Sequence, residues 1–146
     1  MTHRLRPAHL LAAFGLLAAA LLLARRTDSP SWLSLVGLVA PDLVFLGALW
    51  TRPEAPGLMP RALVPLYNTT HHPATPPLLL AASVLAGPWL AVVSVSWAAH
   101  IAWDRGVGYD LRRPDGSIRT HDKTPPTRSA PASERARKRP TPATHL

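Results

Sequence analysis

Four apolar stretches, Leu10–Ala24, Trp32–Trp50, Leu78–Ala86 and Trp89–Trp103, carry almost no polar face. A surface helix of a water-soluble domain keeps a polar stripe toward solvent, whereas a helix apolar all round is buried in protein or in lipid. A chain of 146 residues could bury a core in water, but its helices would then show polar faces. Their lack points to lipid as the solvent. The expected fold is therefore all-α: an integral-membrane bundle of about four transmembrane helices, with spans near 8–24, 31–50, 61–86 and 89–105 inside a transmembrane helical domain covering 1–111.

Prolines and glycines punctuate these spans. Pro7 suits a first helical position, and Ser31 suits an N-cap after the turn Arg25–Pro30. Pro41 lacks an N–H and predicts a kink near Gly37. Leu78–Ala86 alone is too short to cross a bilayer, so 61–86 reads as one broken helix interrupted between Pro73 and Pro77. Gly87-Pro88 makes the next turn, and Gly106 fits a C-cap. Trp32, Trp50, Trp89 and Trp103 fall at span ends, as an aromatic belt requires. The N-terminus, with Arg4 and Arg6 before an apolar run, mimics a secretory signal. That run ends Leu-Leu-Leu-Ala before Arg25-Arg26 with no small-residue cleavage pattern, so it is kept as a first span.

The net charge of +8 lies mostly beyond the last span: residues 112–146 hold nine Lys/Arg against three Asp/Glu. A segment so rich in Pro, Ala, Ser, Thr and Arg, above all Ser129–Leu146, builds no core and is expected to be a disordered basic tail. Anionic lipid headgroups are its expected partner, at about 1 kcal/mol per basic residue near the surface. Nucleic acid is not, because no aromatic residues interleave the charges. Four crossings put both termini on the side that carries Arg4, Arg6, Arg52, Arg61 and the tail, which the positive-inside rule makes the cytoplasm. The chain has no cysteine, which excludes disulfides, thiolate metal sites, iron–sulfur clusters and cysteine nucleophiles.

Against this background Asp42, His71, His100 and Asp104 stand out, because a charged side chain at the centre of a span costs about 2.5–3.5 kcal/mol. At ~1.5 Å per residue, Asp42 lies about 12 Å in from Trp50, His71 about 15 Å in from Arg61 and His100 about 8 Å in from Arg105. All three depths run from the cytoplasmic ends, so the polar residues of three spans share one half of the membrane. His100 and Asp104, four apart, share a helix face. Two imidazoles and two carboxylates suit zinc, manganese or iron, with Tyr67 and Asn68 placed to orient a histidine from behind. The alternative is helix glue: the same residues pairing with one another, with Asn68, or with Arg52 and Arg61. His72, beside Pro73, is expected only to line the helix break.

Pro41-Asp42, Tyr67-Asn68-x-x-His71, and the run from Ser96 to Arg112 (SWAAHIAWDRGVGYDLR) together resemble a family of small bacterial integral-membrane proteins, domain of unknown function 4260. The likeness covers about residues 30–121, ending in Thr120-His121, and departs from the family pattern at Asp110 (usually Gly) and Arg112 (usually Lys). The resemblance implies a shared membrane fold, placed in the bacterial inner membrane, and brings no assigned activity. A looser similarity, in Pro-Asp and the membrane-embedded histidines, links the chain to bacterial inner-membrane metal-dependent hydrolases. Two functions follow as expectations: a non-enzymatic multi-pass membrane protein whose polar cluster holds helices together or passes ions or protons, or a membrane-embedded hydrolase using a divalent metal on Asp42, His71, His100 and Asp104.

Overall fold

The computed structural model describes residues 5–119. Among them run α1 (Pro7–Arg26), α2 (Trp32–Val39), a 3-10 segment (Ala40–Leu49), a short 3-10 turn (Arg61–Leu63), α3 (Val64–Thr70), α4 (Thr75–Ala86) and α5 (Pro88–Val107). No β-strand occurs among the described residues; the sole β feature there is an isolated antiparallel bridge between Arg112 and Ile118.

Helix α5 is the centre of the packing, touching α1, α2 and α4. Helix α1 begins with Pro7 at its first position and ends on Arg25 and Arg26, whose charges suit the negative end of the helix dipole. It buries Ala13, Ala20 and Ala24. Side chains this small let two backbones approach closely, the device by which helices associate without a hydrophobic driving force. Where α2 crosses α5, Gly37 plays the same part: a Cβ there would stand 2.6 Å from Ser96 Cβ and against the Val93 carbonyl. One core cluster joins Ala24, Leu33, Val92 and Val93, and a second joins Val44, Met59, Val64 and Tyr67.

Pro41 acts differently from the expected kink near Gly37. The chain changes at Ala40 from α to 3-10 winding and stays so for ten residues. Proline has no N–H to give, so the carbonyls of the preceding turn leave the helical ladder. The third stretch is broken as its prolines require, into α3 and α4 with a turn at 71–74 between them. Ser31 takes the N-cap place of α2 without a side-chain cap bond. Helix α5 outruns the expected stop at Gly106 and ends at Gly108, whose φ of 96° is the left-handed conformation that glycine adopts freely. Gly106 instead lies within α5 against Leu10, and its carbonyl accepts the Arg6 N–H at 2.9 Å.

Among the described residues two helices are long and apolar enough to cross a membrane: Pro7–Arg26 and Trp32–Leu49, with mean hydropathy 2.0 and 1.9 and only 17% and 28% of those windows buried. Leu11, Phe14, Leu35, Leu43, Leu78 and Leu85 are among the large apolar side chains left exposed. Trp32, Trp50, Trp89 and Trp103 are exposed as well.

The domain boundary expected at 111/112 falls inside packed structure. Arg112 is buried, and its main chain is held on both sides by Asn68. The Gly116 carbonyl accepts the Met59 N–H at 3.1 Å, and Arg119 N–H donates to Leu111 O at 2.8 Å. Asp115 accepts from Ser117 N–H at 2.9 Å and Ser117 Oγ at 2.7 Å, bonds that hold its carboxyl below the usual range. These long-range contacts, invisible in composition, order the first eight residues of the supposed tail. Residues 120–146, and with them the expectation of disorder, lie outside the described residues.

Candidate metal centre

Each side chain of the cluster arrives from a different local cause. The 3-10 segment after Pro41 carries Asp42, α5 carries His100 and Asp104 one turn apart, and His71 is the C-cap residue of α3 at the break between α3 and α4. Two tryptophan and serine contacts fix that break on α5: Trp97 Nε1 donates to Thr70 O at 2.8 Å, and Ser94 Oγ donates to Pro76 O at 2.7 Å.

The four side chains converge. His71 Nε2 and His100 Nε2 are 3.3 Å apart. Asp42 Oδ1 lies 3.3 Å from the first and 3.6 Å from the second. Asp104 Oδ2 lies 3.5 Å from both. The ligand atoms of Asp42, His71 and His100 all fall within 4.8 Å of one another. Both histidines are buried, Asp104 is largely so, and the Asp42 side chain is 47% exposed, so the cluster opens on that side.

The second nitrogen of the His71 ring is already engaged. His71 Nδ1 is 3.0 Å from both the Tyr67 carbonyl and Thr70 Oγ1, so it is held from two sides while Nε2 faces the cluster. The Tyr67 ring stacks on His71 with centroids 3.9 Å apart. Backbone partners such as the Tyr67 carbonyl set the aim of metal-ligating histidines.

A cavity of about 360 Å³ lies against the cluster, lined by Asp42, Phe45, Tyr67, Asp104, Tyr109 and Arg112. Asp42 and Asp104 therefore face both the histidines and an open space. Arg105, next to Asp104, pairs with Asp110, donates to the Tyr109 carbonyl at 3.2 Å and to the His71 carbonyl at 3.4 Å, fastening the end of α5 to the α3–α4 break. Arg61 pairs with Glu54 at 2.9 Å, on the surface.

A family model, domain of unknown function DUF4260, matches residues 9–123. The chain belongs to that family. In this DUF4260 protein the match begins well before the 30–121 carried by the motifs, and so takes in α1, the helix packed most extensively on α5. Neither the curated proteins nor the solved structures yielded a match.

Of the four residues singled out in the DUF4260 sequence, Asp42, His71 and His100 thus come together in one group, and Asp104 stands 3.5 Å from both histidines. The two expected helpers differ. Tyr67 supports His71 through its carbonyl and its ring. Asn68 is spent elsewhere, donating to Arg112 O at 2.9 Å and accepting from Arg112 N–H at 2.7 Å. His72 is exposed and accepts the Ala74 N–H at 3.2 Å, closing the turn. Sequence reasoning passed over Trp97, Phe45, Tyr109 and Arg112. Trp97 had a signal, being the one tryptophan away from the span ends; Arg112 had none beyond its charge.

Proposed function

We propose that this DUF4260 protein is a multi-pass membrane protein that holds a divalent metal ion on Asp42, His71, His100 and Asp104 and uses it for hydrolysis. One observation carries the reading: two imidazole nitrogens 3.3 Å apart, flanked by two carboxylates, with the other nitrogen of His71 held against the Tyr67 carbonyl. Four such atoms brought this close repel one another unless a cation lies among them or protons on the ring nitrogens bridge them. A tetrahedral ion with bonds of ~2.0–2.1 Å to nitrogen and oxygen has ligand–ligand edges of ~3.3–3.4 Å. The separations of 3.3–3.6 Å between the histidines, and from each carboxylate to them, fit that size. Asp42, His71 and His100 form the mutually close set, and Asp104 reaches both histidines from beside it. Zinc, manganese and iron all accept imidazole with carboxylate. Such an ion supplies a nucleophilic water at neutral pH. The chain itself contributes a close pair of histidines, two charge-balancing carboxylates, and a cavity where a substrate meets them.

The membrane part rests on the two apolar helices, the exposed apolar faces and the tryptophans at the ends of the apolar stretches. Four crossings, the third made by α3 and α4 together, place the cluster nearer the side of both termini, the cytoplasmic side by charge. The bilayer is then the partner of the apolar faces, and anionic headgroups are the partner of the basic C-terminal residues.

A second reading has one observation in its favour: each imidazole–carboxylate distance also lies within ion-pair range, as helix glue would need. Metal analysis of the detergent-purified protein separates the two. Near-stoichiometric zinc, manganese or iron, abolished by both His100→Ala and Asp42→Asn with helix content intact, is the expected result. Wild-type protein that takes up none of the three ions after reconstitution removes the metal and hydrolase reading and leaves the glue.

A further inference from the structure

Among the described residues Arg112 is the one basic side chain lining the cavity that Asp42 and Asp104 share. It is only 9% exposed, and its Nε–H has no acceptor among the described residues. One Nη1 bond, to Gly116 O at 3.3 Å, and the Tyr67 ring, 5.5 Å from the guanidinium carbon, are its side-chain contacts. No carboxylate lies within ion-pair distance of it among the described residues. A buried charge left so little compensated is costly, and the protein nonetheless holds it in place with a two-point Asn68 clamp on its own main chain.

Charge accounting shows what would complete the site. A divalent ion and two carboxylates cancel, which leaves the guanidinium as net positive charge at the cavity wall. The donor fork of arginine matches the oxygens of phosphate, and phosphate hydrolysis gains from positive charge on both sides of the reacting group. The aromatic rings of Phe45, Tyr67 and Tyr109 around the same cavity suit the organic part of an ester. We propose that Arg112 is the anion-recognition residue of this cavity and that the substrate is a phosphate ester whose phosphoryl group sits between Arg112 and the metal centre. The inference rests on the metal reading above. The ester is either a lipid headgroup or a free phosphate compound, and the phosphoryl group is the shared chemistry.

The full-length protein in detergent, loaded with its metal, is titrated calorimetrically with inorganic phosphate and separately with dioctanoyl phosphatidic acid in the same micelles. Arg112→Met is expected to keep the metal content and lose at least tenfold in affinity for the bound probe. Binding of phosphatidic acid alone assigns a lipid headgroup, and binding of both assigns the phosphoryl group as sufficient. Equal affinity in wild type and Arg112→Met, or no binding of either probe to wild type, overturns the inference while leaving a measured metal content untouched. A wild type that holds no metal yet binds phosphate through Arg112 sinks the hydrolase reading and keeps the anion site. Should Arg112→Met lose its fold, Arg112→Lys decides, since it keeps the charge and removes the fork. An affinity at least threefold below wild type supports the inference, and an unchanged affinity overturns it.

Discussion

The ring of Tyr67 lies on the ring of His71 with centroids 3.9 Å apart and planes 18° from parallel, while the Tyr67 carbonyl stands 3.0 Å from His71 Nδ1. One residue thus restrains the histidine through two independent contacts, one from its side chain and one from its backbone. Only the first can be removed by substitution.

Tyr67→Phe therefore keeps both contacts and leaves metal affinity near wild type. Tyr67→Ala removes the stack and opens space in the core with Val44, Met59 and Val64. Loss of a group supporting a metal ligand costs about 10–100-fold in affinity, and the alanine variant is expected at the lower end of that range. Competition with a fluorescent chelator measures it. Equal affinities for the two variants would deny the ring any part in holding His71.

The crossing of α2 over α5 at Gly37 has no room for a methyl group. Overpacking of this kind costs about 1–3 kcal/mol, so Gly37→Ala should lower the thermal midpoint in detergent. Adding Ser96→Gly should restore part of the loss and not all of it. The Ser96 side chain can be deleted, but the Val93 carbonyl beside it is main chain and stays.

Asn68 latches residues 112–119 to α3. Asn68→Ala deletes two hydrogen bonds, each worth about 0.5–1.5 kcal/mol, and should release that segment locally. The readout is limited trypsin digestion, with faster cutting after Arg112, a site buried in the wild type. Asn68→Asp should do the same, because a carboxylate can accept from the Arg112 N–H but has no donor for the Arg112 carbonyl.

The chain has no cysteine, so a single introduced one reports its own exposure without background. If Trp32–Leu49 crosses the membrane, Ser31→Cys and Ala55→Cys lie on opposite sides. An impermeant thiol reagent added to right-side-out vesicles should label the first and spare the second. Labelling of both from the same side would remove that crossing and the multi-pass reading with it.

What the sequence by itself determined were the features that obey local rules. Apolar stretches without a polar face became helices, and Pro41 and the Pro73–Pro77 run marked where regular winding stops. The gathering of Asp42, His71, His100 and Asp104 was legible too, because rise per residue converts position along a helix into depth, and four-residue spacing puts His100 and Asp104 on one face. The form of each break was not legible: a 3-10 segment instead of a kink, and a helix end at Gly108 instead of Gly106, depend on which neighbour satisfies or crowds the backbone. Tertiary structure alone decided the far wall of the cavity. Arg112 reaches it because the chain turns back after Gly108 and meets Asn68, forty-four residues earlier. Composition assigned Arg112 to a solvated tail, since a charged residue in a polar segment carries no local mark of burial. Its place follows from a contact between distant segments, and no periodicity within either segment encodes such a contact.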